Sequence, residues 1–307
     1  MLGEDHLVGW GKRSTRVGAS RQINDSLDEN PCQPAATARE DDQRIIAFCV
    51  NSSLSIQLWK GHQCAMKDEW ENPDFAIQWD QTALQINPTR AEELDLLVRL
   101  LEEMYQEGAT ILDLGISSGL VEALLFARLP HAWVVGVDSS SVMLGLAAQR
   151  LAAFEKRCTL LAHDFTDIES LVVPKRRYQI VISVQSLHHV PHHKKQAIFQ
   201  FVADLLAPAG LFLLIDRIAL DGTHFADMYR AMWKRLEEGS ESESGTSSDD
   251  FLLRLQDKED YPASLEEHLG WLRLAGLSAT CLHLHLHRAL IAGKKKSDEA
   301  VVSGERL

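Results

Sequence analysis

The chain has no C-x-x-C pair, no long apolar run and no excess of positive charge. Its five cysteines (Cys32, Cys49, Cys64, Cys158 and Cys281) are odd in number and scattered. That pattern supports neither a disulfide framework nor a zinc knuckle, and it fits a reducing compartment. The most apolar early stretch, residues 45–50, is far short of the roughly 20 residues a spanning helix needs, and no later run reaches that length. Met1-Leu2-Gly3-Glu4-Asp5 is acidic with no apolar run behind it, so no secretory signal is expected and a cytoplasmic location is. Lys and Arg number 31 against 44 Asp and Glu, a formal charge of −13. A negative balance argues against nucleic acid as partner and against an anionic membrane surface.

What is present is ordinary globular material, 45% apolar and 24% charged over 307 residues. The length suits one domain of about 200–250 residues with extensions. Residues 1–65 carry no sustained period of 2 or 3.6 and read as a poorly ordered extension. Met66 opens a different texture and could be an internal start, which would make 1–65 non-native. Residues 66–296 read as the folded domain. Within it, 239–250 (GSESESGTSSDD) holds four acids and no base, the composition of a solvated insert. Residues 297–307 read as a frayed tail. With Glu238 at its border, the insert accounts for five negative charges and leaves about −8 for everything else.

From residue 88 the pattern is regular. Pro88-Thr89 precedes a helix whose Leu94, Leu97, Val98 and Leu101 share one face. Short apolar runs expected as buried strands fall at 109–114, 133–137, 159–162, 178–184 and 211–215. Helices are expected at 118–129, 141–154 and 193–206. A helix at 221–238, another at 264–275 closed by Gly276, and two strands at 277–286 and 288–292 complete the chain. Such alternation predicts an α/β fold: a doubly wound, mostly parallel seven-stranded sheet, helices on both faces, and a C-terminal antiparallel hairpin.

The first strand runs into a glycine-rich turn, Ile111-Leu112-Asp113-Leu114-Gly115-Ile116-Ser117-Ser118-Gly119. Glycines there let backbone N–H groups approach a ligand with no Cβ in the way. The second strand ends in Val134-Val135-Gly136-Val137-Asp138, followed by Ser139. A carboxylate at that point can accept two hydrogen bonds from ribose hydroxyls. Nicotinamide enzymes use an acid in the same way, so Asp138 does not by itself choose a cofactor. The plainer role for Asp138 is a helix N-cap, for which Ser139–Ser141 compete. The third strand ends in His163-Asp164-Phe165, and the fourth in Ser183-Val184-Gln185-Ser186-Leu187-His188-His189.

In that order these stations resemble the class I S-adenosylmethionine (SAM)-dependent methyltransferases, a Rossmann-like family, of the small-molecule type. The family's first motif reads roughly D-x-G-x-G-x-G. The likeness covers about residues 74–294 and implies SAM as cofactor. It implies a cofactor site of Asp113, Gly115, Ser117, Gly119, Asp138, Ser139, Asp164, Phe165, Ser183 and Gln185. Asp164 would accept from the adenine amine, and Phe165 would cover the ring or offer its N–H. The chain departs from the motif at Ser117, which is expected to be tolerated only at a negative φ. A dinucleotide enzyme would want G-x-G-x-x-G, whereas Gly115 and Gly119 are four apart with Leu120 following.

Thirteen histidines raise the question of metal. The spacing of His188, His189, His192 and His193 suits neither H-E-x-x-H nor a finger. Leu282-His283-Leu284-His285-Leu286-His287 alternates, which predicts three imidazoles on one strand face and leucines on the other. A half-exposed edge strand is the expected reading of that pattern, and no metal is expected. Acceptor recognition is expected after the fifth strand (Asp216, Arg217, His224, Tyr229, Trp233) and near Trp70–Trp79. No catalytic residue is assigned; His189 is the first candidate for a general base and Asp216 the second. The function expected is methyl transfer from SAM to a small-molecule acceptor, with no nucleic-acid or membrane partner. A SAM-modifying enzyme of the carboxy-SAM synthase type, a silent SAM-binding subunit and a nicotinamide oxidoreductase are the alternatives. The acceptor, the atom methylated and the oligomeric state are not written in the sequence.

Overall fold

The computed structural model describes residues 69–85, 89–220, 224–239 and 260–296. The expected N-terminal extension, residues 240–250 of the acidic insert and the tail lie outside the described residues. Helix α1 (Pro73–Thr82) begins at Asn72, whose side chain accepts the N–H of Asp74, and has proline in its first turn. Helix α2 (Arg90–Met104) turns Leu94, Leu97, Val98 and Leu101 inward. It leads into β1 (Thr110–Leu114), which is buried along its whole length. Then follow α3 (Leu120–Arg128), β2 (Trp133–Asp138), α4 (Ser141–Arg150), β3 (Cys158–Ala162), β4 (Tyr178–Val184), α5 (His192–Leu205), β5 (Leu206–Arg217), α6 (Ala226–Gly239), α7 (Leu265–Leu274), β6 (Ser278–His285) and β7 (Arg288–Lys294).

The seven strands form one sheet in the order β3-β2-β1-β4-β5-β7-β6. Strands β1 to β5 are parallel, and β7 runs antiparallel to both β5 and β6. This is the fold class the alternation predicts. Each face carries its own core. On one, α2 and α3 pack Leu94, Leu97, Val121 and Leu125 against Ile111, Ile180, Ile182 and Leu213. On the other, α5 and α7 pack Ile198, Phe199, Val202 and Leu272 against Leu112, Val181, Leu214 and Ile291. A sheet sandwiched in this way leaves the carboxyl ends of β1 to β5 as the open edge for a ligand. Among the described residues no helix is long and apolar enough to cross a membrane.

Three expectations change. Strand β5 begins at Leu206, not 211, because Leu206 pairs with Tyr178 before the Pro/Gly bend, and the ladder resumes at Ile180 with Leu211. Lys295 secures the bend, its Nζ donating to the carbonyls of Ala203 and Leu206. Helix α4 stops at Arg150, where Leu151 leaves helical geometry and a short 3₁₀ turn, Ala152–Phe154, follows. The three hairpin histidines do not share a face. A bulge between Cys281 and His283 shifts the register, so that Cys281 lies opposite Ile291 and His283 opposite Leu290. His287 falls beyond the strand and is buried beside Trp233. The leucines Leu282 and Leu284 are about half exposed.

Helix α7 starts with a reciprocal cap: the Glu267 N–H reaches the Ser264 hydroxyl while the Glu267 carboxylate accepts the Ser264 N–H at 2.8 Å. Ser264→Ala should cost about 1 kcal/mol of stability, to be read from urea unfolding midpoints.

Candidate active site

The turn after β1 is held in a conformation that its sequence resists. Gly115 (φ +103°) and Gly119 (φ +75°) are left-handed, and so is Ser117 at φ +52°. The expectation of a negative φ at Ser117 is therefore wrong. A non-glycine residue in that region costs on the order of 1 kcal/mol. The compensation is visible, because the Ser117 N–H donates to Asp138 Oδ2 at 2.8 Å. Gly115 has a separate reason to be glycine: a Cβ there would sit 1.8 Å from the Ser186 hydroxyl at the end of β4.

Asp138 ties the ends of β1 and β2 together. Its second oxygen accepts the Ser140 N–H at 3.0 Å. Ser140, not Asp138, caps α4, with its hydroxyl accepting from Met143 N–H. Burial raises the Asp138 carboxyl, and the N–H groups of Ser140, Ser117 and Ser139 pull it part of the way back. Each carboxylate oxygen has a further lone pair, which leaves acceptor capacity for ribose hydroxyls. Ser139 itself is exposed.

Asp113 does not face this edge. It is 1% exposed and sits beside the fully buried Glu122 in the first turn of α3. None of the four carboxylate oxygens has a conventional hydrogen-bond partner. Two buried carboxyls side by side cannot both ionise. Burial and then the Glu122 charge drive Asp113 well above its ordinary range, and burial also raises Glu122. Asp113 is thus buried beside Glu122 rather than open to the edge, which counts against its expected role as a cofactor contact.

Ser183 is corrected too. It is fully buried, and its hydroxyl donates to the Leu114 carbonyl at 2.6 Å, riveting β4 to β1. The Phe165 ring belongs to the core, so only its backbone N–H is left for an adenine. Asp164 caps its own turn, with Oδ1 accepting from Thr166 N–H and hydroxyl at 2.9 Å. Gln185 lies just past the end of β4. It too is left-handed (φ +56°), its N–H donates to Ile215 O, and its buried Nε2 has no partner. An orphaned amide at the end of β4 and a carboxylate with spare acceptor capacity at the end of β2 fit a nucleoside-type cofactor.

Helix α1 is strapped over this edge by contacts that have no local sequence pattern. Asp80 receives both terminal nitrogens of Arg150, at 3.0 and 2.7 Å, and also the Ser118 hydroxyl. Arg150 donates in addition to the Ser118 carbonyl. Glu71 accepts the Ser141 N–H and hydroxyl, and the Ser140 hydroxyl donates to Trp70 O at 2.7 Å. Trp70 packs edge-on against Phe75, Trp79 and His189. Trp79 also lies 5.1 Å from the Arg90 guanidinium.

Of the two base candidates, only His189 is placed for the part. Asp216 is 1% exposed, 2.5 Å from His188 Nδ1, and accepts the Arg217 N–H. Burial raises its carboxyl against the pull of Lys195 and His268. It serves the buried His188, which burial keeps neutral, and no acceptor can reach it; its candidacy as base is withdrawn. The side chain of His189 is 33% exposed, and its Nδ1 lies 2.9 Å from Asp260 Oδ1. Burial would push Asp260 up, but His189 and Arg217 beside it bring it down to about 2. Asp260 was missed because it lies 71 residues on. It arrives because Tyr261 N–H donates to His188 O while Lys195 Nζ donates to Tyr261 O. Trp233 is 3% exposed and packs α6 down.

Residues 111–210 match the family model of a methyltransferase domain. Over that stretch, about a third of its length, the chain is similar to methyltransferase domains. Among curated relatives, a carboxy-S-adenosyl-L-methionine synthase of Trichodesmium erythraeum is 24% identical over 244 residues, covering 76% of this chain and 92% of the relative. A ubiquinone biosynthesis O-methyltransferase of Coxiella burnetii is 27% identical over 146 residues, 47% of this chain, and the chain spans only 59% of that relative's length. An O-methyltransferase family protein of Burkholderia thailandensis shares the fold, with a TM-score of 0.57 at 14% identity over 85% of this chain and 70% of its own. SAM is the cofactor of this family, and the β1 turn, Asp138 and Gln185 are the features of the domain that fit it.

The Asp113–Glu122 pair generates a prediction. Both carboxyls are raised in the fold, so their contribution is fully present below the ordinary values of 3.8 and 4.5 and is lost as pH rises through the folded pKa values. Glu122→Gln should lessen that loss. Between about pH 5 and pH 8 its melting temperature should fall less than that of the parent protein; an equal fall would show that the pair is not a titrating unit.

Proposed function

We propose that the protein transfers the methyl group of SAM to a small-molecule acceptor, with His189 receiving the acceptor's proton and Asp260 orienting His189. The observation that carries this reading is the clasp between the left-handed Ser117 turn and Asp138. It costs backbone strain and does nothing for the core, which is expected of a site held ready for a ligand. Gly115, Ser117, Gly119, Asp138 and Gln185 form the proposed cofactor surface, with the backbone of Ser139, Asp164 and Phe165 beside it. Residues 66–296 are the proposed catalytic unit, with 1–65, the acidic insert and the tail as appendages. Because Ser117 keeps the glycine-like turn, its departure from the motif gives no reason to read the domain as silent.

The methyl of SAM is an electrophile that carries its own leaving group. The chain's task is then alignment and exclusion of water. Helix α1, with Trp70 and Trp79, walls the edge from one side. His189 is close to Trp70 and open enough to meet an acceptor. With Nδ1 2.9 Å from Asp260 Oδ1, its Nε2 is the atom left to accept a proton, and the nearby carboxylate would orient the ring as in a general base.

A second reading, modification of the cofactor as in a carboxy-SAM synthase, is favoured by the long match to the Trichodesmium relative and by one feature of the edge. Arg90, Arg217 and Arg288 all reach the carboxyl end of the sheet. Burial, then the charges of Arg217 and Arg90, bring Arg288 down to about 9 against the pull of Glu93. Arginines so placed suit a carboxylate-bearing substrate.

Mass spectrometry of reactions with SAM and metabolite pools separates the two. Methyl transfer yields S-adenosylhomocysteine and a methylated product; a carboxylated SAM would install the second reading. Asp138→Ala should weaken SAM by about 1–3 kcal/mol in calorimetry, and unchanged affinity would remove Asp138 from the site. His189→Gln should lower kcat by about 10²-fold or more, with SAM affinity unchanged.

A further inference from the structure

We propose that Glu92, His283 and His285 form a binding site for a borderline divalent cation of the zinc class, with one coordination position open to water. The site joins the end of edge strand β6 to the first turn of α2. It does not depend on the reading of the methyl-transfer site.

The bulge makes the site. Cys281 lies opposite Ile291, whose side chain belongs to the core under α7. In an unbroken strand His283 would share that face. The register shift places His283 opposite Leu290 and His285 opposite Arg288 instead. Leu290 packs in the core under α2, so both imidazoles come to the α2 side. Bulges re-aim side chains in this way, and they concentrate where a side chain has work to do.

One ligand atom from each of Glu92, His283 and His285 lies within 4.8 Å of the other two. His285 Nδ1 is 3.5 Å from Glu92 Oε2. Ligands about 2.0–2.1 Å from a tetrahedral zinc stand roughly 3.3 Å apart, so this pair already has the required separation. The two rings are nearly perpendicular, with centroids 6.1 Å apart. His283 contributes a second, independent sign. Its Nε2 is buried and has no hydrogen-bond partner, a costly state that a metal bond would relieve. Two imidazoles and one carboxylate are the donor set zinc takes when a fourth position stays open.

The charges around the site set its strength. Arg288 lies across from His285, but it is drawn to Glu93, 3.7 Å away. Arg90 has Glu93 beside it as well. Both cations repel an incoming ion and both are partly balanced, so binding in the micromolar range is expected.

The test uses the full chain stripped with a chelator, then titrated with zinc chloride by calorimetry and with cobalt(II) by visible absorption. The proposal expects one ion per chain and a tetrahedral cobalt spectrum. It expects a loss of affinity of about tenfold or more in both His283→Asn and His285→Gln, with His131→Ala, at an exposed position elsewhere, unchanged. Circular dichroism on each variant separates lost binding from lost fold. Absence of zinc binding, or binding unchanged in the double variant His283→Asn/His285→Gln, would overturn it. So would a site lost in His189→Gln and retained in the double variant, since the ion would then belong to His188, His189 and Asp260.

Discussion

The hydrogen bond from the Ser117 N–H to Asp138 sets the geometry of the whole ligand edge. It crosses from the end of β1 to the end of β2 and fixes the turn that would otherwise relax out of a left-handed conformation. Other contacts are built on that turn. Ser186 fits against Gly115 only because no Cβ is present. Ser118, one residue on, joins Asp80 and Arg150. Ser140, held by the same carboxylate, reaches Trp70. A change at Asp138 therefore reaches the cofactor turn, the start of α4 and helix α1 together, and none of the apolar core.

The fold was legible because the sheet is buried on both faces and each strand reads as an apolar run between punctuation residues. The same property explains the errors. Leu206–Gly210 looks like a turn by its Pro and Gly, yet pairing at Leu206 and the two Lys295 bonds keep it on the sheet. Strict alternation in residues 282–287 reads as one histidine face, but a bulge ahead of His283 turns His283 and His285 together to the other side of the sheet, and β6 ends at His285, which leaves His287 off the strand.

The site was legible only in outline. Motif order places Asp138 and Gln185 at the carboxyl edge of the sheet, but a motif states positions along the chain and not directions of side chains. Asp113 and Ser183 sit in motif positions and point into the protein. What was invisible came from far away in sequence: Asp80 meets Arg150 across 70 residues, and Asp260 meets His189 across 71. Neither pair has a local pattern.

Net charge illustrates the limit of composition. A chain at −13 argues for a cationic or neutral partner if its charge is spread evenly. At the ligand edge it is not. Arg90, Arg217 and Arg288 stand there with Glu93, Asp260 and Asp216, three cations to three acids. The carboxylates there are largely engaged, Asp260 with Arg217 and His189 and Asp216 with His188. Buried opposite charges interact through a low dielectric and are screened little by salt, whereas the acids of the surface act weakly over a Debye length of about 8–10 Å. An anionic small molecule is thus compatible with an acidic protein, and the charge of the whole chain says more about what stays away from its surface than about what enters the site.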